Sequence, residues 1–239
     1  MLHLNMFLGP IATRPLRQMV VSGLLLLVVA ACSQTNTANS TNGAQPATSA
    51  VATAPDVEPA DAIIAATKAQ SEARSFRARS TVKGGDRTAE ITLEFVSPDR
   101  FRMVNPSMEA IAIGGDTYMK PSGRPWSKVA MNINEIVNQF RQDPGMTEAF
   151  RKSIRSARLV GTEQVNGEET WVYAYDIENS QDGVQTIGKA KIWIRTSDGL
   201  PLKLEGDSTI TTGGKTFSAQ YSNIYSDYNG EIKIEPPIS

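Results

Sequence analysis

The chain has 239 residues, with 24 basic and 25 acidic side chains, one histidine and one cysteine. A formal net charge of -1 with no Lys/Arg cluster excludes a phosphate-tracking nucleic-acid surface, and a lone cysteine excludes an internal disulfide. The single histidine, His3, lies in a leader, so the remainder has no Ser-His-Asp or Cys-His nucleophile, no His-ligated zinc and no imidazole base.

The leader occupies residues 1–31. Arg14 and Arg17 form a positive region, the run Met19–Ala31 an apolar one, and Val29-Ala30-Ala31 places small residues before Cys32. Thirteen residues are too few for a bilayer that needs about 20, which argues against a transmembrane anchor. The pattern resembles the lipobox of a bacterial lipoprotein. That resemblance implies cleavage before Cys32, lipidation of its thiol and an extracytoplasmic, membrane-anchored location. The membrane is the outer membrane, on its periplasmic face, or the cytoplasmic membrane, on its outer face; Ser33 in place of Asp leans toward the former. Loss of the leader removes two basic groups and no acid, leaving 22 basic against 25 acidic residues.

Residues 32–59 follow as the lipidated Cys and a tether. Ser, Thr, Asn, Gln, Ala and Pro dominate it, and up to Pro55 Val51 is its one branched aliphatic. Such a segment cannot bury enough apolar surface to offset its ordering entropy. Residues 60–239 form one domain.

The domain opens with a helix over Ala60–Arg74, N-capped by Asp61, with Ile63, Ile64 and Thr67 on one face. The period then becomes two. Phe76, Ala78, Ser80 and Val82 alternate with Arg77, Arg79, Thr81 and Lys83, and Ala89, Ile91, Leu93 and Phe95 alternate with Glu90, Thr92 and Glu94. A two-residue Gly84-Gly85 turn would pair Phe76 with Leu93, Ala78 with Ile91 and Arg79 with Glu90. Further strands are predicted at Arg100–Val104, Glu109–Ile113, Thr117–Lys120 and around Trp126. Ile133, Ile136, Val137 and Phe140 have helical spacing, and Thr147–Ile154 reads as a second short helix. Strands resume at Leu159–Val165 and Thr170–Ile177 around Asn166-Gly167, then at Thr186–Arg195 and Leu200–Glu205, then on either side of Gly213-Gly214, where Ile210 faces Phe217. Ile232 and Ile234 suggest a last short strand.

The pattern predicts an α+β domain of about ten antiparallel strands, each with one wet and one dry face. One curled sheet, a half-open β-barrel with helices covering its concave face, satisfies it. Asp182-Gly183 and Asp198-Gly199 read as turns rather than metal loops. No cofactor or metal is expected, and Asp116, Asp176 and Asp227 form no carboxylate pair that the sequence can place together. All five methionines outside the leader (Met103, Met108, Met119, Met131, Met146) fall in one stretch, where they either fill an irregular core or adapt a wall to variable chains.

Five segments carry a further resemblance: Phe95-Val96-Ser97-Pro98-Asp99-Arg100-Phe101-Arg102, Ile113-Gly114-Gly115-Asp116-Thr117-Tyr118, Gly123-Arg124-Pro125-Trp126, Ile192-Trp193-Ile194 and Asp198-Gly199-Leu200-Pro201-Leu202-Lys203. With the lipobox and tether, the domain from Ala60 to Pro237 resembles the LolA/LolB superfamily of lipoprotein carriers and its lipid-binding LppX/LprG relatives. The resemblance implies a non-catalytic, monomeric envelope protein that takes an acylated ligand into an apolar cavity. Ile91, Leu93, Phe95, Phe101, Met103 and Met119 would line the sheet side, and Ile133, Ile136, Val137 and Phe140 the cover. The membrane-anchored receptor of that superfamily inserts an exposed loop leucine into the bilayer. Here, in the early loops, Asn105-Pro106-Ser107-Met108 offers only Met108, so a lipid-binding role closer to that of LppX/LprG is supported at least as well as lipoprotein insertion. The alternative on the same fold is an envelope-sensing module with a protein partner.

Overall fold

The computed structural model describes residues 56–134, 144–181 and 183–238. Cys32, Ile136, Val137, Phe140 and Asp182 lie outside the described residues.

Helix α1 (Pro59–Glu72) begins one residue before the predicted start, with Glu58 at the N-cap and Pro59 in the first turn, where its missing N–H costs nothing. Asp61 is therefore not the cap; its carboxylate pairs with Arg151 of α2 (Pro144–Ser153), tying the two helices together. Eleven strands make one antiparallel sheet: β1 (Ser75–Gly84), β2 (Arg87–Val96), β3 (Arg100–Asn105), β4 (Met108–Ile113), β5 (Asp116–Pro121), β6 (Ser127–Val129), β7 (Ile154–Val165), β8 (Glu168–Gln181), β9 (Val184–Arg195), β10 (Pro201–Thr212) and β11 (Lys215–Ser226). The spatial order is β6-β5-β4-β3-β2-β1-β11-β10-β9-β8-β7, so β1 closes against β11 and the chain's two halves join at mid-sheet.

That order corrects the expected half-open barrel of about ten strands. Among the described residues the sheet is open, with β6 and β7 as its edges at opposite ends of a linear ladder. β6 has only three residues, and β7 shifts register between Ile154 and Ser156 and again between Leu159 and Gly161, so neither edge offers a long regular ladder for closure. The described helices do not sit inside a curled sheet. They lie on one face, and α1 packs against β7 to β10.

Two hairpins follow their turn chemistry. Asn166 and Gly167 take φ of 52° and 82°, Gly213 and Gly214 of 54° and 74°, and Ile210 faces Phe217 as expected. In the first hairpin the turn is Gly85-Asp86, so Phe76 faces Phe95, Ala78 faces Leu93 and Arg79 faces Thr92. The correction is a slip of two residues, which leaves every side chain on its predicted face. Ile232 and Ile234 form no strand. They bury themselves instead against Ile111, Ile113, Val96 and Trp126.

The expectation of one wet and one dry face fails at β8, where Trp171, Val172, Tyr173, Ala174 and Tyr175 are all buried. Trp171, Tyr173 and Tyr175 lie beneath α1 with Ile63, Ala66, Ile192 and Ile194. On the other face Trp193 lies directly opposite Val172, donates its Nε1–H to Glu163 Oε2 at 2.8 Å and carries Lys203 Nζ 4.4 Å from its ring centre.

Gly206 and Gly84 give a paired test of this packing. A Cβ on Gly206 would stand 2.5 Å from the Lys189 carbonyl and 2.6 Å from the Tyr221 hydroxyl, whereas on Gly84 the nearest atom is 3.6 Å away. Gly206→Ala should destabilise by about 1–3 kcal/mol through overpacking. Gly84→Ala, at a residue without positive φ, should be neutral or gain up to about 1 kcal/mol; urea denaturation of both variants measures the contrast.

Candidate functional site: the apolar face of the sheet

Cross-strand pairing assigns the predicted site residues to faces. Leu93 lies opposite Ala78 and Met103, Phe95 opposite Phe76 and Phe101, Met103 opposite Ala110, and Ala110 opposite Met119. Ile91 lies two residues from Leu93 on the same strand. Ile91, Leu93, Phe95, Phe101, Met103 and Met119 therefore share one face from β2 to β5. Phe95 is buried and the other five are half-buried.

The same face continues through Ala78, Tyr225, Leu204 and Ile192 to Tyr173, beneath α1. Ile133 comes to it from the chain after β6: its backbone N–H donates to Thr117 Oγ1 at 3.2 Å. Next to it, Asn134 is buried and donates its amide to the carbonyls of Asp99 and Gly114, pinning this segment at the β4–β5 turn. On the far side Phe150 of α2 meets Tyr175 edge-on at 6.1 Å.

Between these halves stands an aromatic cluster in which two residues of the period-two pattern, Phe76 and Phe95, are joined by Tyr228, which that pattern did not reach. Phe76 stacks on Phe95 at 5.6 Å and meets Tyr225 and Tyr228 at 6.4 and 5.9 Å. Tyr228 donates its hydroxyl to the Pro201 carbonyl and accepts from Gln70 of α1, so the cluster fastens α1 to the β10–β11 side. A signal for it was Ser226-Asp227-Tyr228-Asn229-Gly230, in which Asp227 and Asn229 take positive φ and bring Tyr228 back under the helix.

Burial raises the pKa of Tyr173, Tyr175, Tyr225 and Tyr228, and pushes Tyr221 up to about 12, where the nearby Asp207 charge adds to the effect. Because the folded values lie above the unfolded value of about 10, the stability they contribute is complete below pH 10 and is lost as pH rises through the folded values. Phenolate absorbance should thus lag behind free tyrosine and then rise together with loss of structure on alkaline titration.

Two hollows open beside this face among the described residues. One, of about 330 Å³, lies between α1 and the ends of β8 and β9, with Ala62, Ala66, Ala69, Trp171, Tyr173 and Ile194 in its wall. The other, of about 310 Å³, is more polar and is bordered by Glu168, Arg195, Leu202, Tyr225 and Tyr228. Neither is lined by Ile91, Leu93, Phe101, Met103 or Met119. Arg195 is committed to Glu168 and Asp198 at 2.7 and 2.8 Å, and its pKa is raised chiefly by the Asp198 hydrogen bonds. Burial alone would raise Asp198, but Arg195 and the Leu200 N–H hold it below the ordinary value.

The opposite face is charged. Asp227, Arg77, Glu94, Arg102, Glu109 and Lys120 form a ladder with successive contacts of 2.9, 2.7, 3.4, 2.7 and 3.9 Å. Of the carboxylates considered for catalysis, Asp227 belongs to this ladder, Asp116 pairs with Lys128 at 2.8 Å, and Asp176 accepts from Ser156 at 2.8 Å.

No family model matches the sequence, and no curated protein matches it. Among solved structures the chain is similar to the lipoprotein LppX of Mycobacterium tuberculosis, with 14% identity, a TM-score of 0.50, and 74% of this chain covering 97% of that one. It is also similar to LprF from Mycobacterium bovis, with 12% identity, a TM-score of 0.51, and coverage of 76% and 97%. At such identities the likeness is one of architecture, and the described domain has the fold of these two mycobacterial proteins.

Proposed function

We propose that the chain is a non-catalytic, lipid-anchored protein of the bacterial cell envelope that binds acylated ligands, lipid or lipoprotein acyl chains, against the apolar face of its sheet. In this reading residues 1–31 are the signal, Cys32 carries the anchor, residues 32–59 are the tether and the rest is the binding domain. The observation that supports it is the continuity of one apolar face across Ile91, Leu93, Phe95, Phe101, Met103 and Met119 into the helix-covered core. Each methylene that such a face removes from water contributes about 0.8 kcal/mol, and the methionines adapt to chains of different shape at little packing cost. The fold shared with LppX, which is described as a lipoprotein, agrees with this reading.

Titration with a fluorescent fatty-acyl probe tests it. The expected result is saturable binding, with a rise in probe emission that unlabelled phospholipid reverses. Emission that stays at its value in water throughout would overturn the reading.

A further inference from the structure

The antiparallel order brings the β1–β2, β3–β4, β5–β6, β8–β9 and β10–β11 turns to one end of the sheet. That end is basic. Lys83, Arg87, Arg124 and Lys215 are exposed there, and none forms an ion pair with a described residue. Against them stand Asp86 and, by sequence, Asp182 between β8 and β9, which lies outside the described residues. At the other end the turn charges are largely paired: Asp116 with Lys128, and Glu168 and Asp198 with Arg195. A chain of nearly balanced charge thus gathers unpaired cations at one end of its strands.

Register places part of this charge at the end of the apolar face. Arg87 stands two, four and six residues before Ala89, Ile91 and Leu93 on β2 and so points to their face. Lys215 shares a face with Phe217, two residues on, which lies opposite the buried Ile210 and yet is 50% exposed. The β10–β11 tip projects beside the β1–β2 turn: Lys83 pairs with Gln220, and the Ser218 carbonyl lies beside Gly84. Two strand spacings, about 10 Å, therefore separate the arginine strand from the phenylalanine strand. Unpaired cations around an exposed aromatic ring fit a surface that offers phosphates above hydrocarbon.

We propose that this end of the sheet docks on an anionic lipid bilayer, with Arg87, Lys215 and Lys83 on headgroup phosphates and Phe217 in the interface. The inference goes beyond acyl binding and does not require it. Charge complementarity is its warrant, because each Lys or Arg near an anionic surface strengthens attachment about five-fold. A protein clustering these groups at one end has a preferred orientation. The 25 residues from Cys32 to Asp56 could extend to about 80 Å, twice the roughly 40 Å of a twelve-residue strand, so the chain length leaves either end free to face the bilayer.

The test uses the full chain with Cys32→Ser, which removes the one native thiol, and a single new cysteine carrying an environment-sensitive dye at Thr216→Cys or, at the opposite end, Ser197→Cys. Vesicles are phosphatidylcholine alone or an equimolar mixture with phosphatidylglycerol. The apolar run Met19–Ala31 would attach the chain to both, so orientation is read from the difference between labels and compositions. The expected result is a blue shift at position 216 on anionic vesicles, reversed by added salt and absent at 197. Arg87→Gln and Lys215→Gln should weaken it about five-fold for each charge removed, and Phe217→Ser should reduce the shift. A shift at 197, equal shifts on neutral and anionic vesicles, no shift at either label, or indifference to the charge variants would each overturn the proposal. Acyl-probe binding measured in parallel reports separately on the proposed ligand face.

Discussion

Tyr173→Ala should lower the free energy of unfolding by about 3–5 kcal/mol, the range for removing a buried aromatic ring. Tyr173 is 2% exposed and stands at the centre of the packing of α1 on β8 and β9, among Ile63, Ala66, Trp171, Tyr175 and Ile192. The loss would combine the transfer free energy of the ring with the cavity left behind, since the surrounding strands are held in register on both sides. For a domain of this size the thermal midpoint should fall by about 10 °C. Phe150 meets Tyr175 in the same layer, so α2 should loosen with α1; proteolysis at α2 in the variant would report that coupling.

Met103→Glu should abolish saturable acyl binding, a loss of at least about 100-fold, while the fold is retained. Met103 lies between Leu93 and Ala110 at the middle of the proposed ligand face. In the free protein a half-buried glutamate can turn its carboxylate toward water. Under an acyl chain it would lose that hydration without a partner, a cost of several kcal/mol for an unpaired charge. Thr92→Glu supplies the control: Thr92 is exposed on the opposite face of β2, opposite Arg79. Probe titration of both variants, with circular dichroism to verify folding, distinguishes a ligand face from a general response to added charge. Equal loss in both variants would count against the face as the site.

Strand faces were legible because period two fixes them whatever the register. The first hairpin shows this: three consecutive turn-forming residues, Gly84-Gly85-Asp86, allowed the turn to move by one, and the two-residue slip kept Ile91, Leu93 and Phe95 with Phe76 and Ala78. Asn166-Gly167 and Gly213-Gly214 were unambiguous because both residues of each turn must take positive φ. Curvature and closure were not legible. Alternation states which side of a strand is apolar but not how far a sheet bends or whether its edges meet, and the open ladder from β6 to β7 depends on a three-residue edge and two bulges. Ile232 and Ile234 are spaced like strand residues, yet they form no strand and are buried by packing on Ile111, on the charged side of the sheet. The ion ladder from Asp227 to Lys120 was visible only as rows of charge; its order required strand neighbours. Its exposed members each contribute a few tenths of a kcal/mol, which makes it a register device more than a source of stability.

The most direct test of acyl binding is native mass spectrometry of residues 56–239, exported into a bacterial envelope and purified without detergent. The account predicts a discrete non-covalent mass that fragments as an acylated lipid and is absent from Met103→Glu. A clean apo mass from the unmodified domain, together with no uptake of added phospholipid, would contradict it.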